Sequence, residues 1–168
     1  MLIKMIIKVF LLTSSLLLLT QQAQAIQNHG SELKPFLSAS FQQILDSRPD
    51  QPLMLTIWST TCTTCMQKMP LLSELKKAWP DIHVITLSTD DIADSDAIKR
   101  ILAEHDLDTA ENWMFADSNV QKLRYEIDPK WFGELPRTYF IDKTRQRKGV
   151  SGGLAREQYE AVFKELLN

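Results

Sequence analysis

The chain has 168 residues, with 19 Lys+Arg, 21 Asp+Glu and only two cysteines. That length bounds one domain of ordinary size with a short appendage, and a composition 44% hydrophobic and 24% charged excludes a disordered or low-complexity chain. A net charge of −2 lacks the basic excess of a nucleic-acid binder, and two cysteines cannot build the disulfide framework of a small secreted module.

Residues 1–25 read as an export signal. Lys4 and Lys8 give a positive start, residues 9–20 are largely apolar, and Ala23-Gln24-Ala25 matches a small-x-small cleavage site. Cleavage after Ala25 sends the remainder to the periplasm, where disulfides persist. The competing reading is an uncleaved membrane anchor, but the apolar stretch 9–19 is short against the ~20 residues of a spanning helix. No cysteine sits at the cleavage point, so a lipid anchor is not expected. Removing the signal leaves 143 residues with a net charge of −4.

Residues 26–32 form an N-terminal arm, and residues 33–168 form one domain. Leu33, Phe36, Leu37, Phe41, Ile44 and Leu45 recur at helical spacing, which predicts a helix over 33–46. The apolar run 53–58 predicts a buried strand, and a polar turn then carries Cys62 into a helix over 62–79, interrupted by Pro70. A second buried strand follows at 82–87. The acidic stretch 90–96 supplies N-caps for a helix ending near His105. A short strand at 113–116, a short helix from Val120 and an irregular loop over 128–135 come next. A hairpin of 138–141 with 148–151 and a final helix over 157–167 close the chain. Strands alternating with helices, then a hairpin, predict an α/β fold with a mixed central sheet and helices on both faces.

Cys62-Thr63-Thr64-Cys65 follows a buried strand and opens a helix. Positions i and i+3 share a helix face, so the sulfurs can meet. Unpaired N–H groups and the helix dipole stabilise a thiolate at the first cysteine, making Cys62 the nucleophile and Cys65 the resolving thiol. A structural disulfide is the poorer reading, because a four-residue loop removes little chain entropy. A metal site is poorer still. Zinc wants four ligands, and His29, His83 and His105 have no finger spacing. No metal or cofactor is expected.

The stretch from Trp58 to Cys65, followed by Met69-Pro70, resembles the exported TlpA/ResA-like branch of the thioredoxin superfamily. That branch carries a Trp four residues before the first Cys and a Pro five after the second, as Trp58 and Pro70 stand here. Gly133-Glu134-Leu135-Pro136-Arg137-Thr138 resembles the family's proline-threonine strand, and 96–105 with 113–117 fit the branch's extra βα insertion. The resemblance covers about residues 36–167. It implies a thioredoxin-like thiol–disulfide oxidoreductase in which Pro136 is cis and faces the cysteine pair. It also implies a Leu135 backbone free to pair with a substrate strand.

The chain departs from that pattern at three places. Thr61 replaces the Trp common before the first Cys. Thr56 stands where many thioredoxins bury an acid, and Lys68 replaces the branch's frequent Glu. Thr61 and Trp131, beside Leu135 and Pro136, are candidate substrate contacts; Trp58, Pro70 and Lys68 are supporting residues. The resemblance implies reduction of specific exported partners, such as apocytochrome c, by a monomer that takes electrons from a membrane donor. The alternative is a Sco-like copper chaperone, with His105 as its only candidate ligand beyond the thiols.

Overall fold

A computed structural model describes residues 32–168, so the export signal and all but the last residue of the arm lie outside the described residues. The elements are β1 (Leu33–Phe36), α1 (Ser40–Asp46), β2 (Leu53–Trp58), α2 (Thr63–Ala78), β3 (His83–Ser88), a 3-10 turn (Ile92–Asp94) and α3 (Ser95–Glu104). There follow β4 (Glu111–Phe115), α4 (Val120–Ile127), β5 (Arg137–Ile141), β6 (Arg147–Ser151) and α5 (Arg156–Leu167). The six strands form one sheet in the order β1-β4-β3-β2-β5-β6. The first four run parallel, and β5 turns antiparallel against β2, with β6 antiparallel to β5. The sheet is mixed, as expected.

Alternation along the central strand divides the core. Met54 and Trp58 face one side with Cys65, Met69 and Leu72 of α2, Ile98 and Leu102 of α3, and Tyr159 and Phe163 of α5. Leu53, Leu55 and Ile57 face the other, with Phe41 and Ile44 of α1 and Leu123 and Ile127 of α4. Each layer seals one apolar face, so β2 is buried along its whole length.

One predicted element is corrected. Residues 33–46 are not one helix: Leu33 to Phe36 pair with β4, and only Ser40–Asp46 is helical. Pro35 disfavours the helical region for Lys34 before it and pushes that residue to extended backbone, and an edge strand tolerates the proline's missing N–H. Ala39, with φ 69°, makes the sharp turn between the two.

Three strands are tied at the sheet end opposite Cys62. Glu111 on β4 receives Lys34 Nζ from β1 at 3.2 Å and Trp113 Nε1 at 3.0 Å, and meets His83 Nε2 on β3 at 2.7 Å. The His83 hydrogen bond, then those of Lys34 and Trp113, outweigh burial and hold the Glu111 carboxyl down from 4.5 to about 2. A depressed folded-state value means the stabilisation is complete above 4.5 and is lost as pH falls through 2. Acid unfolding of the described domain should therefore show a stability loss across that window. Glu111→Gln should start less stable at pH 7 and lose less on acidification, read by urea melts at each pH; equal slopes in both proteins would refute the assignment.

Candidate active site

Strand β2 ends at Trp58, and Ser59-Thr60-Thr61 turns the chain into α2. Cys62 is the helix N-cap, extended at φ −88° and ψ 101°, and its Sγ accepts the Cys65 N–H at 3.1 Å. Cys62 and Cys65 are joined as a disulfide, with Cα atoms 5.2 Å apart. The two sulfurs are unequal: Cys62 is half-buried, and Cys65 is 2% exposed within the core beside Trp58. Thr61 is exposed, its Oγ1 3.0 Å from Ser59 Oγ.

Two loops from distant sequence close on this helix start. The Leu135–Pro136 peptide is cis, as the resemblance implies, and Pro136 O accepts the Gly152 N–H at 2.8 Å. The next residue, Gly153, runs so close to α2 that an added Cβ would stand 2.7 Å from Lys68 Cε and 3.0 Å from Thr64 Cγ2. The first turns of α2, the Gly152–Gly153 backbone and Pro136 therefore form one contiguous set. Leu135 is half-buried against both core clusters. Lys68 lays its apolar stem over the glycine instead of pointing freely into solvent. Pro70 lies on an exposed face inside α2, which runs unbroken from Thr63 to Ala78, so the expected interruption at Pro70 is corrected.

Trp131 and Phe132 part company. Trp131 is 3% exposed, donates from Nε1 to Glu134 O at 3.0 Å and carries Arg124 over its ring at 5.8 Å. A buried ring offers no face to a partner, so the expectation of a substrate contact at Trp131 is corrected. Phe132, at 83% exposed, is the accessible aromatic of this loop.

Thr56 lies on the floor of the site. It is paired in register with Thr138 on β5 and Thr86 on β3, and Thr86 is paired with Asn112 on β4. This buried row is uncharged where many thioredoxins carry an acid. Thr86 Oγ1 donates to Asn112 Oδ1 at 2.7 Å, whereas Thr56 Oγ1 has no partner among the described residues. Sequence reasoning overlooked Asp90, assigned there only to a capping stretch. Its carboxylate accepts from Ser59 Oγ at 2.7 Å, Thr60 N at 2.9 Å, Thr60 Oγ1 at 3.0 Å and Ser88 Oγ at 2.6 Å. The available signal was its place just past the C-terminal end of a parallel strand, where the ends of neighbouring strands converge.

The copper alternative is not favoured. Cys62 follows the C-terminal end of β2. Helix α3 runs back to the opposite end of the strands before β4 begins, and His105 caps that far end of the helix. Among the described residues no three His, Cys, Asp or Glu side chains group as metal ligands.

No family model matches the chain. It is 28% identical over 109 residues to the thiol–disulfide oxidoreductase YkuV of Bacillus subtilis, covering 62% of this chain and 68% of that protein. The chain is a thioredoxin-fold thiol–disulfide oxidoreductase. That agrees with the TlpA/ResA-like resemblance. Solved structures share the fold at low identity. A secreted Mycobacterium tuberculosis disulfide oxidoreductase homologous to E. coli DsbE matches with TM-score 0.58, at 18% identity, over 69% of this chain and 82% of that one. A putative DsbE thiol:disulfide interchange protein of Chlorobium tepidum gives 0.58 at 19%, over 74% and 85%. StoA of Bacillus subtilis gives 0.51 at 15%, over 67% and 81%.

A hydroxyl buried without a partner costs stability. Thr56→Val should therefore leave the melting temperature unchanged or raise it, by up to about 1 kcal/mol of stability, with exchange activity retained. A tenfold loss of exchange rate in a folded variant would instead place the Thr56 hydroxyl on the proton path.

Proposed function

We propose that this oxidoreductase works outside the cytoplasm as a reductant of disulfides in specific partner proteins. The observation that carries the proposal is the inequality of the two sulfurs. A half-buried Cys62 at a helix N-terminus suits attack, and a Cys65 sealed one turn deeper suits release. In the reduced protein the Cys62 thiolate attacks a substrate disulfide. One substrate sulfur leaves as a thiolate, and Cys62 is held in a mixed disulfide. Cys65, losing its proton, attacks the Cys62 sulfur, closes the Cys62–Cys65 bond and expels the second substrate sulfur. Two electrons pass to the substrate, and a dithiol donor at the membrane must restore them.

Two further features support a protein substrate. The Leu135 backbone makes no hydrogen bond among the described residues, so it can add to an extended substrate strand. Thr61 is exposed just before Cys62, beside any bound chain. Export rests on the signal pattern of residues 1–25 and on the secreted character of the mycobacterial relative. Among the described residues no helix is long and apolar enough to cross a membrane. Apocytochrome c, whose cysteine disulfide must be reduced to thiols before haem attachment, is the partner that the family resemblance favours.

Cys65→Ser should trap partners on Cys62 as mixed disulfides, released by dithiothreitol and absent from the Cys62→Ser, Cys65→Ser double variant. The potential of the wild-type pair should lie in the reducing part of the thioredoxin-fold range. A value above about −150 mV would overturn the reductant direction.

A further inference from the structure

Asp90 stands two residues past the end of β3, and its carboxylate reaches sideways to the loop that ends the neighbouring strand β2. Oδ1 takes the hydroxyls of Ser59 and Thr60, at 2.7 and 3.0 Å. Oδ2 takes the Thr60 N–H at 2.9 Å and the Ser88 hydroxyl at 2.6 Å. The links continue to the cysteine. Ser59 Oγ accepts the Thr61 N–H at 3.2 Å, and Ser59 O accepts the Cys62 N–H at 3.1 Å. The Thr89 N–H, beside Asp90, returns to Trp58 O at 2.9 Å. Every residue between the end of β2 and Cys62 is thus held, directly or through one intermediary, by this corner of the neighbouring strand.

All four groups bonded to the carboxylate are neutral donors. They solvate the charge and do not cancel it. The negative charge is held against Thr60, two residues before Cys62. There it opposes the positive field that the α2 N-terminus applies to a Cys62 thiolate.

We propose that Asp90 is the positioning residue of Cys62, a role that rests on the exchange reading above. It has two separable effects. The hydrogen bonds fix the loop so that Cys62 caps α2 with its sulfur accessible. The charge makes the thiolate less favourable than the helix terminus alone would. A less stabilised thiolate weakens the reduced state relative to the disulfide, so the charge biases the pair towards giving electrons up. This offsets the absence of a buried acid at Thr56 by a different route: the acid sits beside the nucleophile and not beneath the resolving thiol.

The variants Asp90→Asn, Asp90→Ala and Ser59→Ala separate the two effects. Each full chain is reduced, and alkylation of Cys62 by iodoacetamide is followed across pH. Exchange with oxidised glutathione and insulin is measured alongside. Asp90→Asn keeps an acceptor and loses the charge. Its alkylation midpoint should fall, with about three- to tenfold more Cys62 thiolate at a fixed pH below the midpoint. Its equilibrium with glutathione should shift in the oxidising direction, tenfold being about 30 mV. Asp90→Ala should show the same fall and also a several-fold slower attack on insulin above the midpoint. Ser59→Ala keeps the charge, so its midpoint should stay while that rate falls.

Lower melting temperatures in the Asp90 variants with an unmoved midpoint would reduce Asp90 to a structural residue and overturn the proposal. If the Asp90 variants do not fold, Ser59→Ala decides: a slower attack supports the clamp, and a wild-type rate overturns it. A wild-type protein that exchanges with neither substrate would sink the exchange reading itself. One that exchanges while Asp90→Asn matches its midpoint would sink only the role of Asp90.

Discussion

The redox centre depends on one placement: Cys62 must cap α2 while Cys65 is buried a turn deeper. The sealed strand β2 makes this possible. With both faces covered, β2 has a fixed end at Trp58, and the three residues between it and Cys62 have little freedom in where they deliver the thiol. The helix N-terminus then supplies N–H groups and a dipole at Cys62. The apolar cluster of Trp58, Met69 and Leu72 supplies a dry environment at Cys65. The chemical inequality of two identical side chains follows from where the sheet stops and the helix starts.

Charge around the pair is arranged unusually for this fold. The floor beneath the site is a row of neutral groups, Thr138, Thr56, Thr86 and Asn112, crossing four strands. Lys68 turns its stem onto Gly153, so its packing role is as evident as its charge. The carboxylate tied most closely to the nucleophile's loop is Asp90, which arrives from β3 and not from the redox helix. The far end of the sheet carries a different charged assembly, in which Glu111 holds together β1, β3 and β4. The two ends are therefore specialised, one for stability and one for chemistry.

The elements that could be read from sequence were those with continuous local signals. The apolar runs of β2 and β3, the Cys-x-x-Cys at a strand-to-helix junction and the apolar face of α5 all have such signals. Residues 33–46 misled because Leu33 and Phe36 suit a helix face as well as an edge strand; Pro35 was the discriminating residue. The loop over 128–135 was legible as irregular, but not which of its two aromatics would be sealed. Arg124 and the Glu134 carbonyl make that choice for Trp131, and neither contact has a sequence pattern.

By itself the sequence determined the pair and its context: two thiols at helical spacing after a buried strand, with Trp58 and Pro70 at fixed distances. Those are short-range facts: the strand and the thiol spacing are set by periodicity, and the Trp58 and Pro70 spacings carry the family resemblance. Only the tertiary structure decided what surrounds the pair. Asp90 lies 28 positions beyond Cys62 and Gly153 lies 88 beyond Cys65, yet both touch the turns that carry the thiols. Their roles come from strand order, because parallel pairing of β2 with β3 brings two strand ends together and the β5–β6 hairpin returns Gly152 to Pro136. No local pattern encodes a neighbour supplied by the sheet.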